Sequence, residues 1–125
     1  MTLSPQDIRH LHQLCHREWT ALGTDIGVSF SEFEYLSAIK QEEDRMRIED
    51  VHGQHLQDIV SALGVSKASA SAMISKLEGR GLVSRFQCKM DARAQHIVLT
   101  DAGAALLSKG EAVYARIAAA WDAGR

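Results

Sequence analysis

The sequence has a single proline, two cysteines and no long run of apolar residues. Each shortage excludes something. One proline in 125 residues leaves no collagen-like or mucin-like segment, and 46% apolar with 24% charged residues is the make-up of a globular domain, not a disordered one. Cys15 and Cys88 are too few for a disulfide framework, so a reducing, cytoplasmic compartment is expected. The uncharged stretches fall far short of a membrane span, and Met1-Thr2-Leu3-Ser4-Pro5 is not patterned as a signal peptide. The length suits one core, so a single domain over 1–125 is expected. An excess of positive charge is also missing. The net charge is −2, which taken whole argues against a strongly basic nucleic-acid binder.

What is present reads as four helices, a hairpin and a fifth helix. Ser4-Pro5-Gln6-Asp7 is a capping box with proline at the first helical position, and Ile8, Leu11, Cys15, Trp19 and Leu22 follow at helical spacing. Gly23 predicts the end of this helix at about residue 22. Ser31-Glu32-Phe33-Glu34 is a second capping box, with Phe30 and Tyr35 as its hydrophobic staple and Phe33, Leu36 and Ile39 as the buried stripe. A third helix spans Gln54 to Leu63, and Gly64 closes it. Ser66 caps a fourth, whose core face is Ala70, Ile74 and Leu77. Two β-favouring runs, Leu82–Gln87 and His96–Leu99, flank a charged turn. Thr100-Asp101 starts a last helix to about Ala123, striped by Leu106, Val113, Ile117 and Trp121. The expected fold class is mostly α with a small β-hairpin.

Residues 56–77 carry the functional signal. A short helix, a glycine turn and a serine-capped second helix form a helix-turn-helix. The outer face of the second helix shows Ser66, Lys67, Ser69, Ser71, Ala72, Ser75 and Lys76, which are small polar groups and two lysines. Short side chains of this kind let a helix enter a major groove and let hydroxyls reach bases and phosphates. A soluble helix hairpin with a serine-rich face would read the same way, so the following hairpin matters, because that order is the winged-helix order. Charge placement points the same way. Residues 1–65 carry 5 basic and 11 acidic groups, residues 66–100 carry 6 and 2, and residues 101–125 carry 3 of each. The positive segment holds Lys67, Lys76, Arg80, Arg85, Lys89 and Arg93, where phosphates would lie.

From about Ser31 to Gly103 the chain resembles the MarR family of winged-helix transcription regulators. The resemblance rests on Gly64-Val-Ser-Lys, on Lys76-Leu-Glu-Gly-Arg-Gly-Leu-Val-Ser-Arg85, and on Asp91-Ala92-Arg93 followed by Ile97-Val98-Leu99-Thr100-Asp101-Ala102-Gly103. It implies a homodimeric repressor on palindromic double-stranded DNA. Ser66, Lys67, Ser69, Ser71, Lys76, Arg85 and Lys89 would lie at the DNA, Arg93 would enter the minor groove, and Asp91 would hold Arg93 in place. It divides the chain into a DNA-binding core over 31–100 and dimerisation helices over 4–22 and 101–123. The family's dimerisation helices usually extend further at the C-terminus. Here one helix runs to the end, so Leu11, Trp19, Val113, Ile117 and Trp121 are expected at the dimer interface, although such stripes also fill a protomer's own core. Many members release DNA when a small aromatic ligand binds, and the lining this sequence offers is His16, Trp19, Phe30, Phe33 and Tyr35.

Other chemistries are weaker. His12 and His16, one helical turn apart, can bind zinc, and His52 and His55 form a second pair. Gln13 stands where a zinc hydrolase needs glutamate, so no hydrolase is implied. Solvated histidines and no native metal or other cofactor are the expectation. Cys15 could act as a redox switch, though a cysteine on a helix face is more often apolar filler. Gly79-Arg-Gly81 lacks the third glycine of a dinucleotide loop, and no Gly-x-Ser-x-Gly occurs, so an enzyme is not expected. A metal- or redox-responsive regulator and a winged helix that binds protein remain the alternatives.

Overall fold

A computed structural model describes residues 2–48, 56–87, 89 and 95–124. Its elements are α1 (Pro5–Ile26), α2 (Phe30–Ile48), α3 (Leu56–Leu63), α4 (Lys67–Gly79), β1 (Val83–Gln87), β2 (Gln95–Leu99) and α5 (Asp101–Ala123). The architecture is the expected one, helical with one antiparallel hairpin. No helix among the described residues is long and apolar enough to cross a membrane. The chain gathers into two compact units, Met1–Phe30 with Ser108–Arg125, and Ser31–Leu107.

In the first unit α1 starts as its sequence dictates. The Ser4 hydroxyl accepts from the Asp7 N–H at 3.1 Å, and the Ser4 N–H donates to the Asp7 carboxylate at 2.9 Å. Its end differs from the expectation, because Gly23 stays inside the helix and Gly27 takes the left-handed conformation at φ 69°. The Gly27 N–H closes the helix on the Gly23 carbonyl at 2.9 Å. Two glycines four residues apart both satisfy the local stop rule. Gly23 serves instead at a close approach, since a Cβ there would sit 3.3 Å from the Val28 carbonyl oxygen. The later part of α5 runs antiparallel to α1: the rings of His10 and Trp121 lie 5.2 Å apart, and those of Trp19 and Tyr114 lie 6.4 Å apart. Leu14, Trp19, Val28, Val113 and Ile117 are buried.

α2 begins at Phe30, one residue ahead of the expected cap, and from Ser31 onward it belongs to the second unit. Ser31 therefore lies within the first turn and is not the cap that pairs with Glu34, and Glu32 beside it is buried. Phe33, Leu36 and Ile39 form the buried stripe, joined by Ile59, Ala70, Ile74, Leu77, Leu82, Val83 and Ile97. The charged stretch that follows does not stop the helix, which continues to Ile48. β1 and β2 pair from Val83 opposite Leu99 to Gln87 opposite Gln95.

The hairpin is tied at its base by backbone. The Thr100 N–H donates to the Leu82 carbonyl at 3.1 Å, the Thr100 hydroxyl to the Gly81 carbonyl at 2.6 Å, and the Gly103 N–H to the Thr100 hydroxyl at 3.1 Å. Gly103 is buried in the first turn of α5, where a Cβ would meet the Leu82 oxygen at 2.0 Å. Gly103→Ala should therefore destabilise the protein by more than about 2 kcal/mol despite alanine's higher helix propensity. Urea unfolding measures this, and an unchanged or raised midpoint would contradict the close approach.

Candidate functional site

The helix-turn-helix is built from short-range chemistry. Gly64 sits at φ +64° and donates its N–H to the Val60 carbonyl at 2.9 Å, which turns the chain sharply after α3. Val65 follows, half-buried. Ser66 is extended at φ −75°, ψ 154°, and its hydroxyl caps α4 by accepting from the Ser69 N–H at 3.1 Å. The same hydroxyl donates to the Ser69 hydroxyl at 2.9 Å. Ala70, Ile74 and Leu77 pin the inner face of α4 into the core. Ser66, Lys67, Ser69, Ala72, Ser75 and Lys76 are exposed, whereas Ser71 is half-buried and turns partly away from the outer face.

The cations are more constrained than the sequence implied. Arg85 on β1 reaches across to α4, where its Nη2 lies 2.8 Å from Glu78 Oε1 and 3.3 Å from the Ser75 hydroxyl, and its Nε lies 3.3 Å from Glu78 Oε1. The hydrogen bonds from Arg85 hold the Glu78 carboxyl below the usual carboxylate range. Arg80 ion-pairs with the buried Glu32, and Lys76 Nζ stands 3.9 Å from the same carboxylate oxygen. Glu43 accepts from the Leu99 N–H at 2.8 Å. Glu32, Glu43 and Glu78 were not among the candidate residues, and no spacing rule marks partners 48 and 56 residues away. Lys89 is exposed. Phe86 stacks flat on His96 at 5.1 Å and leaves half its surface exposed on the hairpin. Asp91 and Arg93, with Cys88, His52 and His55, lie outside the described residues.

The first unit holds a cavity of about 680 Å³. His12, Cys15, His16, Trp19, Thr20 and Gly23 of α1 line it, together with residues 27–30. It brings together three of the five residues expected at an effector pocket, His16, Trp19 and Phe30. Trp19 meets Phe30 edge-on at 5.2 Å. Phe33 and Tyr35 do not line it, because both are buried in the second unit. Both candidate metal ligands, His12 and His16, face this cavity. Among the described residues no group of three or more metal-ligating side chains gathers. Of the residues expected at a dimer interface, Trp19, Val113 and Ile117 are buried within the single chain, and Leu11 and Trp121 keep part of their surface.

The model of the MarR family matches residues 28–94, which include α2, the whole helix-turn-helix and the first strand of the hairpin. The chain belongs to the MarR family. Solved MarR-type structures share its fold. A point mutant of MepR from S. aureus is 18% identical with a TM-score of 0.81, over 100% of this chain and 85% of that one. The S. aureus MepR–DNA complex is 16% identical with a TM-score of 0.75, over 99% and 86%. CouR from Rhodococcus jostii RHA1 bound to p-coumaroyl-CoA is 21% identical with a TM-score of 0.64, over 90% and 70%.

The bracket from Arg85 to Glu78 has a pH signature. A carboxyl whose folded pKa lies below its unfolded one contributes stability that is complete above the unfolded value and is lost as pH falls through the folded value. A carbon-detected NMR titration should place the Glu78 midpoint below that of an unperturbed glutamate, and Arg85→Ala should bring it back. A Glu78 midpoint that Arg85→Ala leaves in place would refute the bracket as its cause.

Proposed function

We propose that this MarR-family protein is a DNA-binding transcription regulator: a homodimeric repressor of a palindromic operator, released by a small aromatic ligand. The observation that carries the reading is the outer face of α4. It presents Ser66, Lys67, Ser69, Ser75 and Lys76 around a helix whose opposite face is locked in the core. Small hydroxyls on an anchored helix suit a major groove. Arg93, held by Asp91, would enter the adjacent minor groove, and Lys89 would meet the backbone. MepR, a relative of the same fold, has been captured on DNA.

A second copy is supported by apolar surface on the first unit. Leu3 and Ile8 are exposed, and Leu11 and Trp121 are half-buried. That surface takes the place of the more deeply buried residues expected from sequence. A palindromic operator presents its half-sites about 34 Å apart, one turn of DNA, one for each copy. Release by ligand is supported by the cavity, whose size lies within the roughly 300–1,000 Å³ of small-molecule sites. Its Trp19 and Phe30 walls suit a planar ring. CouR, again of the same fold, holds p-coumaroyl-CoA.

Footprinting on the DNA beside its own gene, with and without aromatic acids, tests the whole reading. Protection of a palindrome that an effector abolishes is the expected result, and no protected sequence would reject it. Arg93→Ala should lower operator affinity about tenfold while light scattering still reports a dimer. Unchanged binding in a gel-shift titration would remove Arg93 from the interface. Affinity should also fall steeply as salt rises, and a flat response would contradict phosphate contacts.

A further inference from the structure

Glu32 is a carboxylate with no role in the chemistry described so far. Its side chain is 7% exposed, and burial of a charge at that depth is unfavourable unless cations and hydrogen bonds compensate it. The compensation is specific. Arg80 donates to Glu32 Oε2, and Lys76 Nζ lies 3.9 Å from the same atom. These two cations are not placed at random. Lys76 is in the last turn of α4, and Arg80 is the residue that caps it. Glu32 is in the first turn of α2. An acid at one helix's positive end therefore meets two bases at another's negative end, so both helix dipoles favour the contact. Arg80 is followed by Gly81 at φ +75° and then by the hairpin, so one carboxylate holds the joint where the recognition helix leaves for β1.

We propose that Glu32 is a positioning residue for DNA recognition, fixing the C-terminal end of α4 through Arg80 and keeping Lys76 beside it. This rests on the DNA-binding reading above. α4 has its other end fixed by the Ser66 cap and Gly64, and its inner face by three buried side chains. The far end is bracketed to β1 by Arg85 and Glu78, so the remaining freedom is a swing of that end, together with the hairpin, relative to α2. The Glu32 contact removes it. Serine side chains have little reach, so a small swing takes their hydroxyls out of range of base edges. Phosphate attraction, being long-ranged, survives the same swing.

The test compares specific with non-specific binding. The parent protein first enriches its preferred sequence from a random DNA pool. Its affinity for that sequence and for scrambled DNA of equal length is then measured against Glu32→Gln across a salt series. We expect Glu32→Gln to keep the parent circular dichroism spectrum, to lose about tenfold in specific affinity and to leave scrambled-DNA affinity and the salt slope unchanged. Arg80→Lys, which keeps the charge but not the planar fork, should lose part of the same ratio, and it serves as the readout if Glu32→Gln does not fold. A purely structural loss would lower both affinities together and leave their ratio intact, which would overturn the proposal. So would a rise in both affinities with a steeper salt slope, because Glu32 would then act only by neutralising Lys76. Enrichment of no sequence by the parent would overturn the DNA-binding reading and this proposal with it. Enrichment with an unchanged ratio in both variants would overturn this proposal alone.

Discussion

The second unit depends on the Leu82 carbonyl. That oxygen receives the Thr100 N–H, and it lies where a side chain on residue 103 would have to be. Only glycine admits this approach, and the approach allows β2 to end, α5 to start and the hairpin to close within five residues. The Thr100 hydroxyl links the two sides, donating to Gly81 and accepting from Gly103. Because Gly81 and Leu82 are also the exit from α4, the register of the hairpin and the path of the chain out of α4 follow from one backbone junction. Side-chain packing fills the space around it, with Leu77, Leu82, Val83 and Ile97 all buried, but packing alone is non-directional and would not fix a register.

Charge in this unit works mostly inward. The positive segment that the sequence isolates contains Lys76, Arg80 and Arg85, and each of them stands beside a carboxylate. Lys67 and Lys89 are exposed. The outward field is therefore weaker than the residue count implies, and the overall charge of −2 fits a protein without excess basic surface. In the proposed reading, affinity for DNA would then draw on shape, hydroxyl contacts and the doubling of sites in a dimer as well as on phosphate contacts. The exposed Glu78–Arg85 pair contributes little stability in water, and its effect is geometric, since it spans from α4 to β1.

Legibility in the sequence followed the range of the forces. The Gly64 turn, the Ser66 cap and the Ser4–Asp7 box are each decided within four residues, and all three formed as the sequence indicates. The helix-turn-helix was readable for the same reason, and the hairpin from its two β-favouring runs, though not its register. Gly23 and Gly27 were not separable, because both fit the stop rule and only the approach of Val28 distinguishes them. Ser31-Glu32-Phe33-Glu34 reads as a local capping box, yet the helix starts at Phe30, and Glu32 within the motif is used by a residue 48 positions away. The cavity was half legible. Trp19 and Phe30 are in its wall, but periodicity could not tell which aromatic residues face a space and which fill a core, so Phe33 and Tyr35 were misplaced. Trp19, Val113 and Ile117 are ambiguous in the sequence between two partners, their own chain and a second copy, because periodicity marks an apolar face without saying what covers it; in the single chain all three are buried.

The choice of short side chains on α4 makes this architecture demanding. A recognition surface built from long arginines and lysines tolerates misalignment, because flexible stems re-aim their charges. One built from serines cannot, because a hydroxyl reaches little further than the helix that carries it. Such a surface transfers the whole burden of alignment to the scaffold. In this protein the scaffold answers with directional contacts at both ends of α4: a glycine turn and a serine cap at the start, and a buried carboxylate with its arginine at the finish. Hydrophobic burial of Ala70, Ile74 and Leu77 holds the helix down between them. Directional contacts at the ends and non-directional burial in the middle are together what a groove-reading helix with short side chains requires.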